Sequence, residues 1–295
     1  MQGLDSSWRN RRVLVTGCTE FLGLEVTREL LHQQAHVIGL VHDRKAGAIF
    51  AREQAAGLFH LVQGRIENTF RVHSALAIHE VSAIFHLAES SLSSNSTGKN
   101  RAVDDRGTTA VLQAAALYSH RLPIVVASPS NQLRVLNSEV GGKQAPIGIA
   151  RFGKLFGGRD NSESSIIART ISFLNERERE VAREDSSHDF VFIRDAARAC
   201  LAVGEAIDSG SYPLDATFRT GWEMSEAEMA ENVRDMIAGH ALKAGFEEET
   251  PANPFSWRPE YSFVDALADA IECYRATARS RNESIRSTYP GRKAA

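Results

Sequence analysis

Between Arg12 and Ala127, short runs of β-branched and aliphatic residues alternate with longer stretches whose apolar residues recur every three or four positions. The first pattern suits strands covered on both faces and the second suits amphipathic helices, so the alternation predicts a parallel sheet flanked by helices. Strand-like runs are Arg12 to Thr16, His36 to Val41, Phe59 to Val62, Ala83 to Leu87 and Pro123 to Ala127; Leu22 to Gln34, Thr69 to His79 and Gly107 to His120 read as the helices between them. A sixth strand, Ile147 to Phe152, runs into a Gly157-Gly158 turn. Beyond it, helices are expected from Ser165 to about Glu180, Asp195 to Ile207, Ser225 to Ala238 and Ser262 to Thr277, with a frayed tail after Arg279. The charged run 175–180 reads as a solvated helix face.

No repeat or low-complexity linker interrupts the chain, so a second lobe is expected to be folded onto the first. The expected architecture is a doubly wound, Rossmann-like parallel sheet of the α/β class over 1–150, with 189–210 returning to it. A smaller C-terminal substrate lobe, 151–188 and 211–280, is expected to close over the strand ends, where such sheets bind ligands, and 281–295 forms the tail.

Charge and cysteine usage narrow the partners. With 295 residues, 43% of them hydrophobic, the chain can bury a substantial core. Its net charge is −3 with acids and bases interspersed, which provides no footprint for nucleic acid or an anionic membrane and leaves small molecules as the expected partners. The first residues lack the apolar core of a signal peptide, and no apolar run approaches the roughly 18 residues of a membrane span, so a cytoplasmic location is expected. Cys18, Cys200 and Cys273, odd in number and far apart, read as reduced packing residues. The ten histidines show no metal-binding spacing and none of the chain forms a Gly-x-Ser-x-Gly elbow, so no metal is expected.

The first strand ends in Thr16-Gly-Cys-Thr-Glu-Phe-Leu-Gly23, a glycine-punctuated turn that opens a helix, which is the context a dinucleotide fingerprint requires. Together with Phe85-His-Leu-Ala88, Asp104-Asp-Arg-Gly-Thr-Thr-Ala-Val-Leu112, Asp189-Phe-Val-Phe-Ile-Arg-Asp195 and Trp257-Arg-Pro-Glu-Tyr-Ser262, it makes the chain resemble the extended short-chain dehydrogenase/reductase family of NAD-dependent sugar-nucleotide epimerases and dehydratases. The likeness spans nearly the whole chain, and Ala150 to Asp160 is most similar to the CDP-glucose 4,6-dehydratase branch. The resemblance implies NAD or NADP as cofactor, a nucleotide sugar as substrate, and cofactor contacts from Gly17, Thr19, Glu20, Phe21, Leu22, Gly23, Asp43, Arg44, Arg65, Leu87 and Ala88. His42-Asp-Arg44 offers both an acid and a cation after the second strand, so the choice between NAD and NADP stays open.

Four departures fall on working parts of that pattern. Glu20 replaces the middle glycine of the turn, and a carboxylate about 4 Å from a pyrophosphate costs on the order of 1 kcal/mol in water, or about 4 kcal/mol at an effective dielectric of 20. Dinucleotide binding is therefore expected to be weak or lost. Alternatively, Glu20 places its own carboxylate where the helix N-terminus would hold a phosphate, or it points to solvent. Arg65 stands where the family has an acid that contacts adenine, and it cannot accept that hydrogen bond. Asp104 and Lys154 occupy two family Asn positions; Lys154 reads equally as a phosphate contact or a surface lysine. Finally, the family's Tyr-x-x-x-Lys helix has no counterpart between the fifth and sixth strands, where Asn131 to Pro146 contains no Tyr and is interrupted by Gly141-Gly142. An irregular or very short connection is expected there. Tyr289-Pro-Gly-Arg-Lys293 has the spacing, but in a tail whose Pro and Gly oppose a helix.

The remaining catalytic candidates are Ser128 and Ser130, which serve as substrate contacts or strand-end caps, His86, which is a base or a structural residue, and Lys154. Two kinds of function stay open: a lyase- or isomerase-type enzyme without the hydride shuttle, and a non-catalytic subunit that forms a homodimer or pairs with an active homologue. Ordinary NAD-dependent activity with a relocated acid/base is a third reading.

Overall fold

A computed structural model describes residues 7–88, 98–129, 139–140, 143–158, 160, 165–176, 186–242 and 251–288. The chain divides into two compact units, the first comprising 1–153, 193–219 and 252–258 and the second 154–192, 220–251 and 259–295.

The first unit is built on seven parallel strands. In chain order its described elements are β1 (Arg12–Thr16), α1 (Phe21–His32), β2 (His36–Val41), α2 (Ala51–Ala55), β3 (Phe59–Gln63), α3 (Thr69–Ile78), β4 (Ala83–His86), α4 (Gly98–Tyr118), β5 (Ile124–Pro129), β6 (Glu139–Val140), β7 (Lys143–Gln144) and β8 (Ile147–Phe152). The sheet order is β11-β8-β5-β4-β1-β2-β3, where β11 is Leu214–Phe218, and every pairing is parallel. The chain winds outward from β1 in both directions, so β1 and β4 flank a switch point at which the strand ends splay into a crevice.

Strand residues two apart share a face, and the two faces are covered differently. Leu14, Ile38, Leu40, Ile84, Ile124, Val126 and Ile147 project into one core with Val72 and Leu76 of α3 and Val111 and Ala115 of α4. The opposite face takes α6 (Ile193–Asp208), which lies so close that a Cβ on Gly148 would stand 2.5 Å from Val203. Trp8 is fully buried on this side, edge-on to Phe85 at 5.2 Å and against Gly204 of α6.

The second unit holds β9 (Lys154–Phe156), α5 (Ile166–Glu176), β10 (Ser187–Phe192), β12 (Glu223–Ser225), α7 (Glu226–Ala238) and α8 (Phe263–Thr288). Its sheet runs β12-β10-β9, with β10 antiparallel to β12 and parallel to β9. Ser225 and Glu228 form a reciprocal capping box at the start of α7, and Gly239 ends that helix in the left-handed region. Phe156 has ring neighbours Phe190, Phe192, Trp222 and Phe263 at 5.6–6.3 Å between centroids.

The structure departs from the sequence reading in several places. The segment 211–219, expected in the smaller lobe, contributes β11 to the large sheet; 189–192, expected to return to that sheet, pairs instead with β9 and β12. Helix α4 begins at Gly98 rather than Gly107, and α8 continues to Thr288, past the expected fraying point, because no Gly or Pro interrupts it before Pro290. Of the connection 131–146, the described residues form the antiparallel β6–β7 pair; 131–138 and 141–142 lie outside the described residues, as do 177–185 and 289–295. Among the described residues no helix is long and apolar enough to cross a membrane.

Because Phe156 is buried and joins five aromatic rings in one cluster, Phe156→Ala is expected to cost about 3–5 kcal/mol of stability, and Phe156→Leu less, as read from urea unfolding midpoints.

Candidate functional site

The turn after β1 is held by two glycines that admit no side chain. Gly17 has φ +72°, and a Cβ there would lie 2.6 Å from Leu87 O and from Ala88 N and Cα; a Cβ on Gly23 would lie 2.0 Å from Gly17 O. Backbone bonds from Glu20 N to Gly17 O and from Leu24 N to Glu20 O then carry the turn into α1. Leu22 and Leu87 are buried and Phe21 is half-buried, so these three shape the turn from behind.

In front of the turn a cleft of about 430 Å³ opens at the carboxyl ends of the strands. Its walls are Thr16, Gly17, Thr19 and Glu20 from the turn, Leu40 to Asp43 from the end of β2, Gly64 to Glu67 from the end of β3, and Ala88. Of the residues named from sequence, the cleft thus gathers Gly17, Thr19, Glu20, Asp43, Arg65 and Ala88. His42, Ile66 and Glu67 also line it, and their signal was positional, since His42 directly follows β2 and Ile66 and Glu67 lie in the turn just past β3.

Glu20 is the N-cap of α1, with φ −89° and ψ 172°, an ordinary extended conformation. The fold therefore tolerates a side chain where the family pattern has glycine, and what the substitution changes is space and charge in the cleft. Glu20 makes no side-chain cap to the helix, and the first turn carries no other acid. Behind it, burial and then the Glu20 charge push the Cys18 thiol up to about 12, so this cysteine is a protonated packing residue at neutral pH. Asp43 caps the short 3-10 helix 44–50 by accepting from Lys45 N at 2.9 Å; Arg44 starts that helix, and its side chain lies outside the described residues. Arg65 pairs with Glu67 at 3.5 Å. The Glu67 backbone N–H, chiefly, and the Arg65 and Arg106 charges hold the Glu67 carboxyl below its usual range against the opposing cost of desolvation.

His86, at the end of β4, is fully enclosed. Thr16 Oγ1 accepts from Ala88 N at 3.3 Å and is hydrogen-bonded to His86 Nδ1 at 2.8 Å, while His86 Nε2 is hydrogen-bonded to Thr108 Oγ1 at 2.9 Å, so the neutral ring donates through one nitrogen and accepts through the other. Burial lowers its pKa to about 4. Both ring nitrogens are thus engaged within the protein, and the ring ties β1, β4 and α4 together at the floor of the cleft.

Lys154 belongs to the second unit, where it forms an ion pair with buried Glu226 at the start of α7; Arg169 of α5 stands 3.9 Å from the same carboxylate. Ser128 lies in β5 with its side chain outside the described residues; Ser130 and the side chain of Asp104 are likewise outside them. Among the described residues no group of three His, Cys, Asp or Glu is arranged to hold a metal ion.

Residues 13–132 match the NAD dependent epimerase/dehydratase family. The structure as a whole resembles an epimerase from Methanothermobacter thermautotrophicus, with a TM-score of 0.70 at 17% identity over 95% of this chain and 96% of that one. It also resembles UDP-glucose 4-epimerase from Thermotoga maritima with UDP-glucose (TM-score 0.68, 16% identity, 90% and 99% covered) and dTDP-glucose 4,6-dehydratase from Bacillus anthracis in complex with NAD (TM-score 0.68, 16% identity, 91% and 98% covered). At these identities the likeness shows the fold. No curated protein matches by sequence.

Because the folded pKa of His86 lies below its unfolded value, its neutral form contributes stability that is present above about pH 6.5 and lost as the pH falls toward 4. The expected loss between pH 7.5 and 5 is about 2 kcal/mol from this residue. His86→Gln, which cannot titrate, is expected to show a correspondingly flatter dependence in urea unfolding at the two pH values.

Proposed function

We propose that the chain is a divergent member of the NAD-dependent epimerase/dehydratase family, on its CDP-glucose 4,6-dehydratase side, that binds a nucleotide sugar or related small molecule without the hydride cycle. The observation that carries this reading is Glu20 at the mouth of α1, in the cleft where a dinucleotide would lay its pyrophosphate. Helix N-termini attract anions, and a fixed carboxylate there competes with the phosphate for the same positive end. Asp43 sits at the end of β2, the place from which an acid meets a ribose hydroxyl, so the nucleoside half of the site is retained while its phosphate half is altered. Were NAD bound, the Gly17 turn and Asp43 would hold it and it would supply hydride chemistry, but the Glu20 carboxylate does not fit its pyrophosphate.

The proton-handling side is weakened in the same direction. His86 has both nitrogens engaged, Lys154 is paired with Glu226, and 131–146 contains no tyrosine. Lyase- or isomerase-type proton transfer, with Ser128 and Ser130 as contacts, is the chemistry left to an enzyme built this way. A second reading, a non-catalytic subunit of an active homologue, is favoured by Phe70 on α3 and Leu117 on α4, which are 80% and 72% exposed on helices that pack together.

Calorimetric titration is expected to show NAD and NADP binding weakly or not at all to the native chain, and Glu20→Gly is expected to strengthen NAD binding about fivefold or more, the equivalent of removing about 1–4 kcal/mol of repulsion. Native low-micromolar affinity unchanged by Glu20→Gly would overturn the reading of the turn. Incubated with CDP-glucose and NAD, the protein is expected to form no 4-keto product, since a positioned general base supplies about 100- to 10,000-fold of such a step. Turnover near one per second would refute the loss of the hydride cycle. Size-exclusion with an active homologue separates the enzyme from the partner subunit, which alone would elute as a heteromer.

A further inference from the structure

The base end of the cleft carries a polarity of its own. In a doubly wound sheet an acid at the end of β2 meets the ribose, so the base lies beyond it, toward the end of β3. That wall is Gly64 to Glu67. Arg65 is among its lining residues, with a side chain 68% exposed, and pairs with Glu67 with N to O at 3.5 Å. At this exposure the ion pair contributes little to stability, so a ligand can compete for both groups at small cost. The Glu67 carboxylate is held in place by its own backbone N–H and is ionised.

A fork of donors next to an acceptor is complementary to a base edge that presents two acceptors followed by donors. Guanine has that edge: O6 and N7 take a bidentate arginine, and N1–H and the 2-amino group donate to a carboxylate. Adenine offers Arg65 a single acceptor, N7, and its 6-amino group then faces the guanidinium donors. It can satisfy one N–H and one carboxylate oxygen, while its N1 adds a second acceptor against Glu67. Cytosine repeats that order with O2, N3 and its 4-amino group, whereas uracil, with N3–H between its two carbonyls, lacks the adjacent acceptor pair.

Resting on the reading of this cleft as a nucleotide site, we propose that it selects a nucleoside whose base presents two adjacent acceptors beside a donor, guanine, hypoxanthine or cytosine, through donation from Arg65 to the acceptor pair and acceptance by Glu67 from the adjoining N–H. Asp43 takes the ribose. Glu20 stands at the linker, so the base and sugar, rather than a pyrophosphate, provide the affinity. This polarity and the charge at Glu20 both disfavour NAD, but they act at opposite ends of the cleft and are separable by experiment.

The test uses the full chain and uncharged nucleosides, so that repulsion of phosphate by Glu20 does not enter. Ligand-observed NMR and calorimetry are run with guanosine, inosine, cytidine, adenosine and uridine. Guanosine, inosine and cytidine are expected to bind about tenfold or more tightly than adenosine and uridine, the discrimination of one good bidentate contact. Arg65→Asp, at an exposed position that leaves the circular dichroism unchanged, is expected to reverse the order of guanosine and adenosine; Arg65→Gln, which keeps a single donor group, is expected to narrow the gap without reversing it. Equal binding of all five, a preference for adenosine or uridine, or an order untouched by Arg65→Asp overturns the base assignment and leaves the nucleotide cleft standing. No binding of any nucleoside at millimolar concentration overturns the nucleotide cleft itself, and the assignment with it.

Discussion

The contact on which the site depends is the approach of the Gly17 backbone to Leu87 and Ala88, so close that even a methyl group at residue 17 would sit 2.6 Å from three backbone atoms. It seats the turn after β1 on the end of β4, the two strands between which the winding direction reverses. The position of Glu20, the entry of α1 and the floor of the cleft all follow from it. A left-handed φ at Gly17 is the conformational price of that seat, and glycine meets it without strain.

The second tie is polar. Thr16, His86 and Thr108 link β1, β4 and α4 through one imidazole whose two nitrogens are both satisfied. A buried histidine held this way is neutral at physiological pH, and it stabilises the crevice as a fixed spacer instead of moving protons across it. The histidine in the Phe85-His-Leu-Ala88 motif thus has a physical explanation that is independent of catalysis. Lys154 tells a similar story in the second unit, where the charge that might have met a ligand is answered by Glu226.

The doubly wound sheet was legible because β1 to β5 and β8 are nearly continuous apolar runs, as strands covered on both faces must be. Strand β11 was hidden because it lies at the sheet edge and alternates, with Asp215 turned out to bind Arg151 of β8 at 2.5 Å; its composition therefore reads as loop. Strand β9 has only three residues, too few to carry a period. In the cleft, the turn residues, Asp43, Arg65 and Ala88 were readable from motif position. Glu67 was not singled out, since what brings it to the wall is the end of β3 and a bend at Asn68, which caps α3 through Arg71 N. Likewise, the pairing of Lys154 joins residues 72 positions apart, a distance no local pattern encodes.

The first unit is discontinuous in sequence: α6 and β11 arrive with residues 193–219, and 252–258 complete it, Asn253 clasping Arg219 through two hydrogen bonds and Trp257 lying edge-on to Phe218. A ribosome therefore delivers the turn and the cleft wall long before it delivers the helix that covers that face of the sheet. Until then Trp8 and Phe85 lack the Gly204 surface of α6 against which they pack, and α1 waits on a partner helix more than a hundred residues downstream. Parallel pairing of this kind is slow and exposes apolar surface while it waits. During synthesis, the cleft is thus an early-made surface on a late-closing domain, and the chain's exposure to chaperones and proteases is set by residues 193–258.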